Sequence, residues 1–436
     1  MGKNVVIVGG GLAGLAASIY LARAGRTVTL FEKRQHLGGR AITSLRHGFR
    51  FNLGAHAFYR TGAGASVYRE LGIPVRGGLA RPKAIALVHD LVKGEEHRLP
   101  TGFFSLLGTG LLSFRGKREM ASMLFHIRRH GGSRAGSRSL REWIDAHLTD
   151  ARAREVTRAL MRLVTFSDDL DHLDAALALT QMRLALRGAV YVDEGWQKLV
   201  DSMHSAAVAS GVNFVSNSRI VGVVQDGAVR AIELGGLELD SDRMDTQALA
   251  MPEMRPEMIE GALIPAETVI LAVDPVTAAE LAGDAGRAWL QSRPVVASCF
   301  DVALRSLPDP KRLFALGIDE PVYLSVQSAF AQVAPRGGAL VHLLKYGSAD
   351  PSTERTLESL LDRIQPGWRD VLVHRRYLPS MTVSNALVAP NTPRPSPVTS
   401  IRGLYIVGDW VGEEGMLSDA ALASARAAAK AILASA

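Results

Sequence analysis

Residues 5–14 read Val5-Val6-Ile7-Val8-Gly9-Gly10-Gly11-Leu12-Ala13-Gly14, and this stretch decides the fold. The run Val5 to Val8 is short, β-branched and closed by glycine, the pattern of a strand buried on both faces of a parallel sheet. Gly9, Gly11 and Gly14 then stand at the spacing G-x-G-x-x-G. The first allows a tight turn, the second lets the backbone approach a pyrophosphate, and the third lets the next helix pack closely on the strand. That helix is predicted over about Ala13 to Ala24, with its N-terminal N–H groups and positive dipole end aimed at phosphates. Gly25 stops it, and Thr27 to Phe31 alternates as a second strand. Glu32 ends that strand about 20 residues beyond the glycines, where a carboxylate accepts from ribose hydroxyls. A 2′-phosphorylated dinucleotide would call for a cation there. Strand, glycine turn, helix, strand and acid occur in the required order, so a nucleotide cofactor is expected.

Two further segments narrow the cofactor. Leu37, Gly38, Gly39 and Arg40 follow the acid, and at the other end Gly403-Leu404-Tyr405-Ile406-Val407-Gly408-Asp409 is a short apolar run ending in Gly-Asp. With these the chain resembles the flavoprotein superfamily of amine oxidases, phytoene desaturases and protoporphyrinogen oxidases. The resemblance implies FAD. In that family the L-G-G-R segment contributes to the phosphate site, the Gly-Asp carboxylate binds the ribityl and pyrophosphate part, and the following helix points its N-terminus at the flavin ring. A helix N-terminus there would stabilise the negative charge that a reduced flavin gathers.

Carried onto this chain, the implied cofactor contacts are Gly9, Gly11, Leu12, Ala13, Gly14, Glu32, Lys33, Gly38, Gly39, Arg40, Gly408 and Asp409, with Gly412, Gly415, Met416 and Leu417 beside the ring before a helix from Ser418 to Ala434. Phe51-Asn52-Leu53-Gly54-Ala55-His56 resembles the family's second glycine element, which would add Gly54, Ala55 and His56; the family commonly has an acid where Asn52 stands. The backbone at Val221 would help hold the adenine. The single cysteine, Cys299, lies far from the C-terminal motif where some amine oxidases attach flavin, so non-covalent FAD is expected.

The organisation is interleaved: an α/β fold in which a Rossmann-like FAD-binding domain (1–75, 191–275 and 395–436) alternates with an α+β substrate-binding domain (76–190 and 276–394). Lys198-Leu199-Val200 begins a helix after Gly195-Trp196, Val212 to Val215 is a strand, and Arg219 to Val224 with Val229 to Leu234 reads as a hairpin about Asp226-Gly227. Thr268 to Val273 is another buried strand, and Asp240 to Gly261 a surface insertion. At 436 residues, 47% hydrophobic and with 42 glycines, the chain has the composition of an α/β enzyme of two or three domain-sized units. One cysteine excludes an intrachain disulfide and points to a reducing, cytoplasmic setting. The net charge of +7 is dispersed, and no nucleic-acid recognition motif accompanies it.

The apolar stretch Thr101 to Leu112 is too short to span a bilayer, and Arg115, Lys117, Arg118, Arg128, Arg129, Arg134, Arg138 and Arg141 follow it. Residues 101–141 therefore read either as a peripheral membrane contact or as a buried helix with a solvated charged face.

No zinc spacing and no nucleophilic triad is evident. His56, Lys345 and Tyr377 are the candidates for a chemical role, against a packed or hydrogen-bonded His56 and a solvated Lys345 at a strand's end, and Tyr377 with Trp410 for the aromatic walls that amine oxidases use, against core packing of either. Three readings follow: a desaturase or dehydrogenase taking a hydride from a small apolar, isoprenoid-like substrate; a flavin amine oxidase releasing hydrogen peroxide; and a lipid carrier of the same fold without flavin chemistry. The retained set Gly9, Gly11, Gly14, Glu32, Arg40 and Asp409 argues against the carrier.

Overall fold

A computed structural model of the protein describes residues 4–54, 56–80, 84–91, 93–100, 102–235 and 260–435. Five parallel strands form its first sheet, in the order Asn213–Val215, Thr27–Phe31, Asn4–Val8, Thr268–Leu271, Leu404–Ile406. They come from three separate stretches of chain. The alternation of the central strand explains its unbroken apolar run. Val5 and Ile7 pack into a core with the helices Leu12–Arg23, Gln197–Ala209 and Leu417–Ala434, while Val6 and Val8 pack into a second core on the opposite face. That second core takes in the antiparallel hairpin Ile220–Gln225/Val229–Leu234. Most of the expected insertion Asp240 to Gly261 lies outside the described residues.

The second core also contains Ala278, Ala279, Leu281 and Ala282 of the helix Pro275–Ala282, together with Trp289. Residues 276–291, expected in the substrate domain, therefore pack on the five-stranded parallel sheet. Asp274 caps this helix through Val276 and Thr277 N–H groups at 3.1 and 3.0 Å, and Pro275 occupies its first turn. We accordingly place the domain change near residue 292.

The second sheet has seven strands, ordered Leu372–Ser384, Val295–Leu304, Ala339–Tyr346, Val322–Val326, Phe314–Gly317, Ala84–Val88, Glu95–Arg98. One face packs on the helix Thr353–Ile364 through Leu357, Leu360, Leu361 and Ile364. The other packs on a helical layer that includes Phe114–His130, Leu140–His147, Ala151–Thr165 and Ala175–Arg187. None of the described helices is long and apolar enough to cross a membrane.

Candidate cofactor site

The turn after the first strand is built by steric necessity. Gly9 has φ +108°, and a Cβ there would sit 2.6 Å from the Ala272 carbonyl oxygen. A Cβ on Gly14 would sit 2.0 Å from the Gly9 carbonyl oxygen, so the helix Leu12–Arg23 rests directly on the turn. Gly11 differs: nothing lies within 4 Å of its missing side chain. That open position lies on a cavity of about 1150 Å³, the cradle a pyrophosphate requires.

At one end of this cavity stand Glu32, Lys33, Arg34, His36, Ser218, Val221 and Thr277. Glu32 is buried; its Oε2 accepts from Gly10 N–H at 2.8 Å and its Oε1 from Arg34 N–H at 3.0 Å. A carboxylate has about four acceptor positions, so capacity remains for ribose hydroxyls. His36 Nδ1 is buried without a protein partner, a polar atom that a nucleotide could satisfy.

The middle is lined by Gly9, Gly11, Leu12, Ala13, Gly38, Gly39, Arg40, Gly408 and Asp409. Asp409, 2% exposed, pairs with Arg40 Nη2 at 2.7 Å and accepts from Asn385 N–H at 2.9 Å and Asn385 Nδ2 at 3.0 Å. Burial opposes its ionisation, but Arg40 and the Asn385 donors outweigh it and hold the carboxyl below its usual range. Arg394 donates to the carbonyl oxygens of Asp409 at 3.0 Å and Gly415 at 2.8 Å, folding the segment between them into a tight turn. Burial lowers Arg394 to about 10, which leaves it cationic at neutral pH.

The far end is more apolar, with His56, Phe166, Trp196, Leu378, Met381 and Leu417 on its wall. His56 Nδ1 lies 3.0 Å from the Gly54 carbonyl oxygen, and its ring is 4.6 Å from Trp196. Burial lowers His56 to about 4, so its ring is neutral at pH 7. Phe166 (φ +58°) and Leu417 (φ +56°) hold left-handed conformations that bulky residues rarely adopt, and both face the cavity. Leu417 begins the helix Leu417–Ala434, whose N-terminus opens here.

Fourteen of the residues expected from the sequence meet on this wall: Gly9, Gly11, Leu12, Ala13, Glu32, Lys33, Gly38, Gly39, Arg40, His56, Val221, Gly408, Asp409 and Leu417. Gly14 acts from behind by close packing. Gly54, Gly415 and Met416 lie off the wall: a Cβ on Gly54 would collide with Met381 Sδ at 1.9 Å, Gly415 (φ +74°) receives Arg394, and Met416 is buried in the helical core. Ala55 lies outside the described residues.

The three side chains weighed for amine chemistry go elsewhere. Lys345 Nζ pairs with Asp350 and donates to Thr353 at 3.2 Å. Tyr377 packs toward the helix Thr353–Ile364, because strand alternation places it opposite to Leu378. Trp410 is fully buried, 5.8 Å from Trp289, and donates to the Val273 carbonyl at 3.0 Å. Sequence reasoning missed Asn385, Arg394, Leu378, Met381 and the helix start at Pro275. Of these, Asp274-Pro275 carried a readable cap-and-proline signal. Among the described residues no group of three or more His, Cys, Asp or Glu side chains is disposed to hold a metal.

Known proteins bear out this architecture. Residues 7–71 match the family described as NAD(P)-binding Rossmann-like domain. The structure is similar to that of an oxidoreductase from Methanosarcina mazei (TM-score 0.74, 18% identity, covering 99% of this chain and 100% of that one). It is also similar to putrescine oxidase bound to putrescine (TM-score 0.70, 15% identity, covering 100% and 99%). The chain shares its fold with these two proteins. Within that fold, its sequence is 25% identical over 269 residues to 4,4'-diapolycopen-4-al dehydrogenase of Metabacillus indicus, covering 55% of this chain and 54% of the relative. It is 53% identical over 53 residues to carotenoid 3,4-desaturase of Haloarcula japonica, covering 12% and 11%. The chain thus spans about half the length of one curated relative and about a tenth of the other.

Proposed function

We propose that this protein is an FAD-dependent oxidoreductase that takes a hydride from a C–H bond of a small apolar, isoprenoid-like substrate, as a desaturase or dehydrogenase does. The single observation that carries this reading is the cavity of about 1150 Å³, with a carboxylate at one end, an open glycine and the Arg40–Asp409 pair in the middle, and an apolar wall at the other. Glu32 would hold the ribose, the Gly9–Ala13 turn and Arg40 the pyrophosphate, Asp409 the ribityl part, and no covalent link is required. Bound there, the flavin supplies the hydride acceptor. The chain's own part is to orient the substrate and keep water away: Phe166, Leu378, Met381 and Leu417 present apolar surface, and His56 stays uncharged beside them. Relatives named for carotenoid and diapolycopenal chemistry support the apolar substrate.

The test is the visible spectrum of the purified protein. A two-band flavin spectrum that bleaches with dithionite, and FAD released on denaturation, is the expected result. A colourless protein that refuses added FAD would return the carrier reading. Fast reoxidation in air, with peroxide formed from amines, would favour an amine oxidase.

We further propose peripheral contact with a lipid surface through residues 101–141. On the helix Phe114–His130, Gly116, Met120, Met123 and Ile127 face the core. The outward face carries Phe114 (84% exposed), Phe125 (67%), Arg115, Arg118, Arg128 and Arg129. The neighbouring helix Phe103–Gly108 adds Phe104 (78%) and Leu107 (56%), and Lys117 Nζ ties the two by donating to the Leu107 carbonyl at 2.9 Å. Exposed aromatics among arginines suit an anionic bilayer surface. In co-sedimentation the protein is expected to bind vesicles containing phosphatidylserine, and the Phe104→Ser/Phe114→Ser variant to lose most of that binding. Equal binding by both forms would refute the contact.

A further inference from the structure

Phe166 combines two features that rarely coincide, a left-handed backbone under a large ring and a place on the wall of the cavity. It ends the helix Ala151–Thr165 with φ +58° and ψ +15°, and its N–H donates to the Arg162 carbonyl at 2.8 Å. Glycine ordinarily takes such a helix-ending position, because a Cβ crowds the backbone there. A phenylalanine costs stability at that place, so the surrounding structure must impose the conformation.

The surroundings do impose it. Arg162, only 7% exposed, reaches in two directions from the last turn of the helix. Its Nη1 donates to Asp168, two residues beyond Phe166, at 3.2 Å, and its Nη2 donates to the Ile318 carbonyl at 2.8 Å, just past the strand Phe314–Gly317. The chain is thereby tied to the seven-stranded sheet both before and after the strained residue.

The ring is backed as firmly. It meets Tyr323 edge to face with centroids 6.4 Å apart, and Tyr323 stacks on Phe314 at 6.0 Å. Phe166, Leu378, Met381 and Leu417, the apolar side chains of the cavity's far end, all pack in or against the helical core. Of these four, Phe166 and Met381 are buried and the other two half-buried. Met381 is an unbranched thioether that adapts to a ligand. Phe166 has Tyr323 behind its ring and a backbone held on both sides, so an apolar chain entering this end meets a fixed stop there.

We propose that Phe166 is a specificity-determining residue of the substrate end: its ring sets the length of apolar chain that fits, and its clamped left-handed backbone keeps the ring on the wall. This deepens the apolar-substrate reading above and rests on it. Each methylene that finds room is worth about a fourfold gain in affinity, and one that meets the stop gains nothing. The left-handed position also offers opposite perturbations. Glycine occupies it without strain and opens the wall, whereas tryptophan keeps the strain and brings the wall forward.

The experiment measures, by equilibrium dialysis of radiolabelled probes, the affinities of geraniol, farnesol and geranylgeraniol for the wild type, Phe166→Gly and Phe166→Trp, with flavin content determined separately. These probes lengthen by one isoprene unit at each step. In Phe166→Gly the affinity for geranylgeraniol relative to geraniol is expected to rise at least about tenfold over wild type, since the vacated ring leaves room for several methylenes. In Phe166→Trp the same ratio is expected to fall at least about threefold. A merely structural role would weaken all three probes together and leave the ratio where it was. An unmoved ratio, or one that moves the same way in both variants, overturns the proposal. Should Phe166→Gly fail to fold, the fall in Phe166→Trp decides. Wild-type protein that binds none of the three probes would defeat the apolar-substrate reading itself, whereas binding without a shifted ratio defeats the role of Phe166 alone.

Discussion

Asp409→Ala is expected to purify without flavin, with cofactor affinity down by a factor of about 100 or more, and to unfold about 2 kcal/mol more easily. The carboxylate meets Arg40 Nη2 at 2.7 Å and two Asn385 donors, and alanine leaves all of them facing the cavity unanswered. The Arg40 side chain is 40% exposed, so solvent takes up part of its charge and the stability cost stays below that of a fully buried pair. The affinity cost is larger, because an uncompensated cation beside Gly408 no longer presents a shaped site. Asp409→Asn keeps an acceptor and isolates the charge. The pH dependence has a definite sign. Since the folded protein holds Asp409 below the ordinary carboxylate range, its contribution is present above about pH 4 and is lost as pH falls through the folded value. An Asp409→Ala protein carrying one flavin per chain would sink the assignment.

Gly14→Ala and Gly11→Ala are expected to fail in opposite ways. A methyl on Gly14 would lie 2.0 Å from the Gly9 carbonyl oxygen, with Ala272 Cβ at 3.2 Å on the same side. Backbone cannot yield as a side-chain end can, so the helix Leu12–Arg23 must lift from the first strand. We expect a loss of about 4 kcal/mol or an insoluble product. Gly11 has φ −74° and open space about it, so alanine is compatible with the fold. Its methyl instead enters the place proposed for the pyrophosphate. Gly11→Ala should melt like the flavin-free wild type and bind little flavin. Thermal midpoints with and without added FAD separate the two results; a stable, flavin-free Gly14→Ala would contradict the packing argument.

What the sequence made readable was local. Strand, turn, helix and acid from Val5 to Glu32 each answer a requirement within one βαβ unit, and each stands where it was expected. Asp409 was legible only through family resemblance, since a lone Gly-Asp after a short strand has many structural uses. The stop at Phe166 was not legible, because its backbone is set by Arg162 reaching the Ile318 carbonyl in a distant part of the chain. Trp410 and Tyr377 were left between an aromatic wall and core packing for a related reason: aromatic identity allows either, and strand parity and the Val273 carbonyl decide where the ring goes. Residues 276–291 were assigned to the wrong layer because a helix following a parallel strand returns over its own sheet, a matter of topology rather than composition.

The parallel sheet draws strands from the start, the middle and the end of the chain, with Leu404–Ile406 at its edge. A ribosome-bound chain that has not yet emitted Asp409 can shape the glycine turn and still lack the anion that completes the site. If the cofactor binds as proposed, loading waits until synthesis has passed that residue, and chains terminated before it lack the carboxylate proposed to hold the ribityl part. Capture of the flavin would then act as a late proofreading step in biogenesis, drawing complete chains out of the pool open to proteolysis.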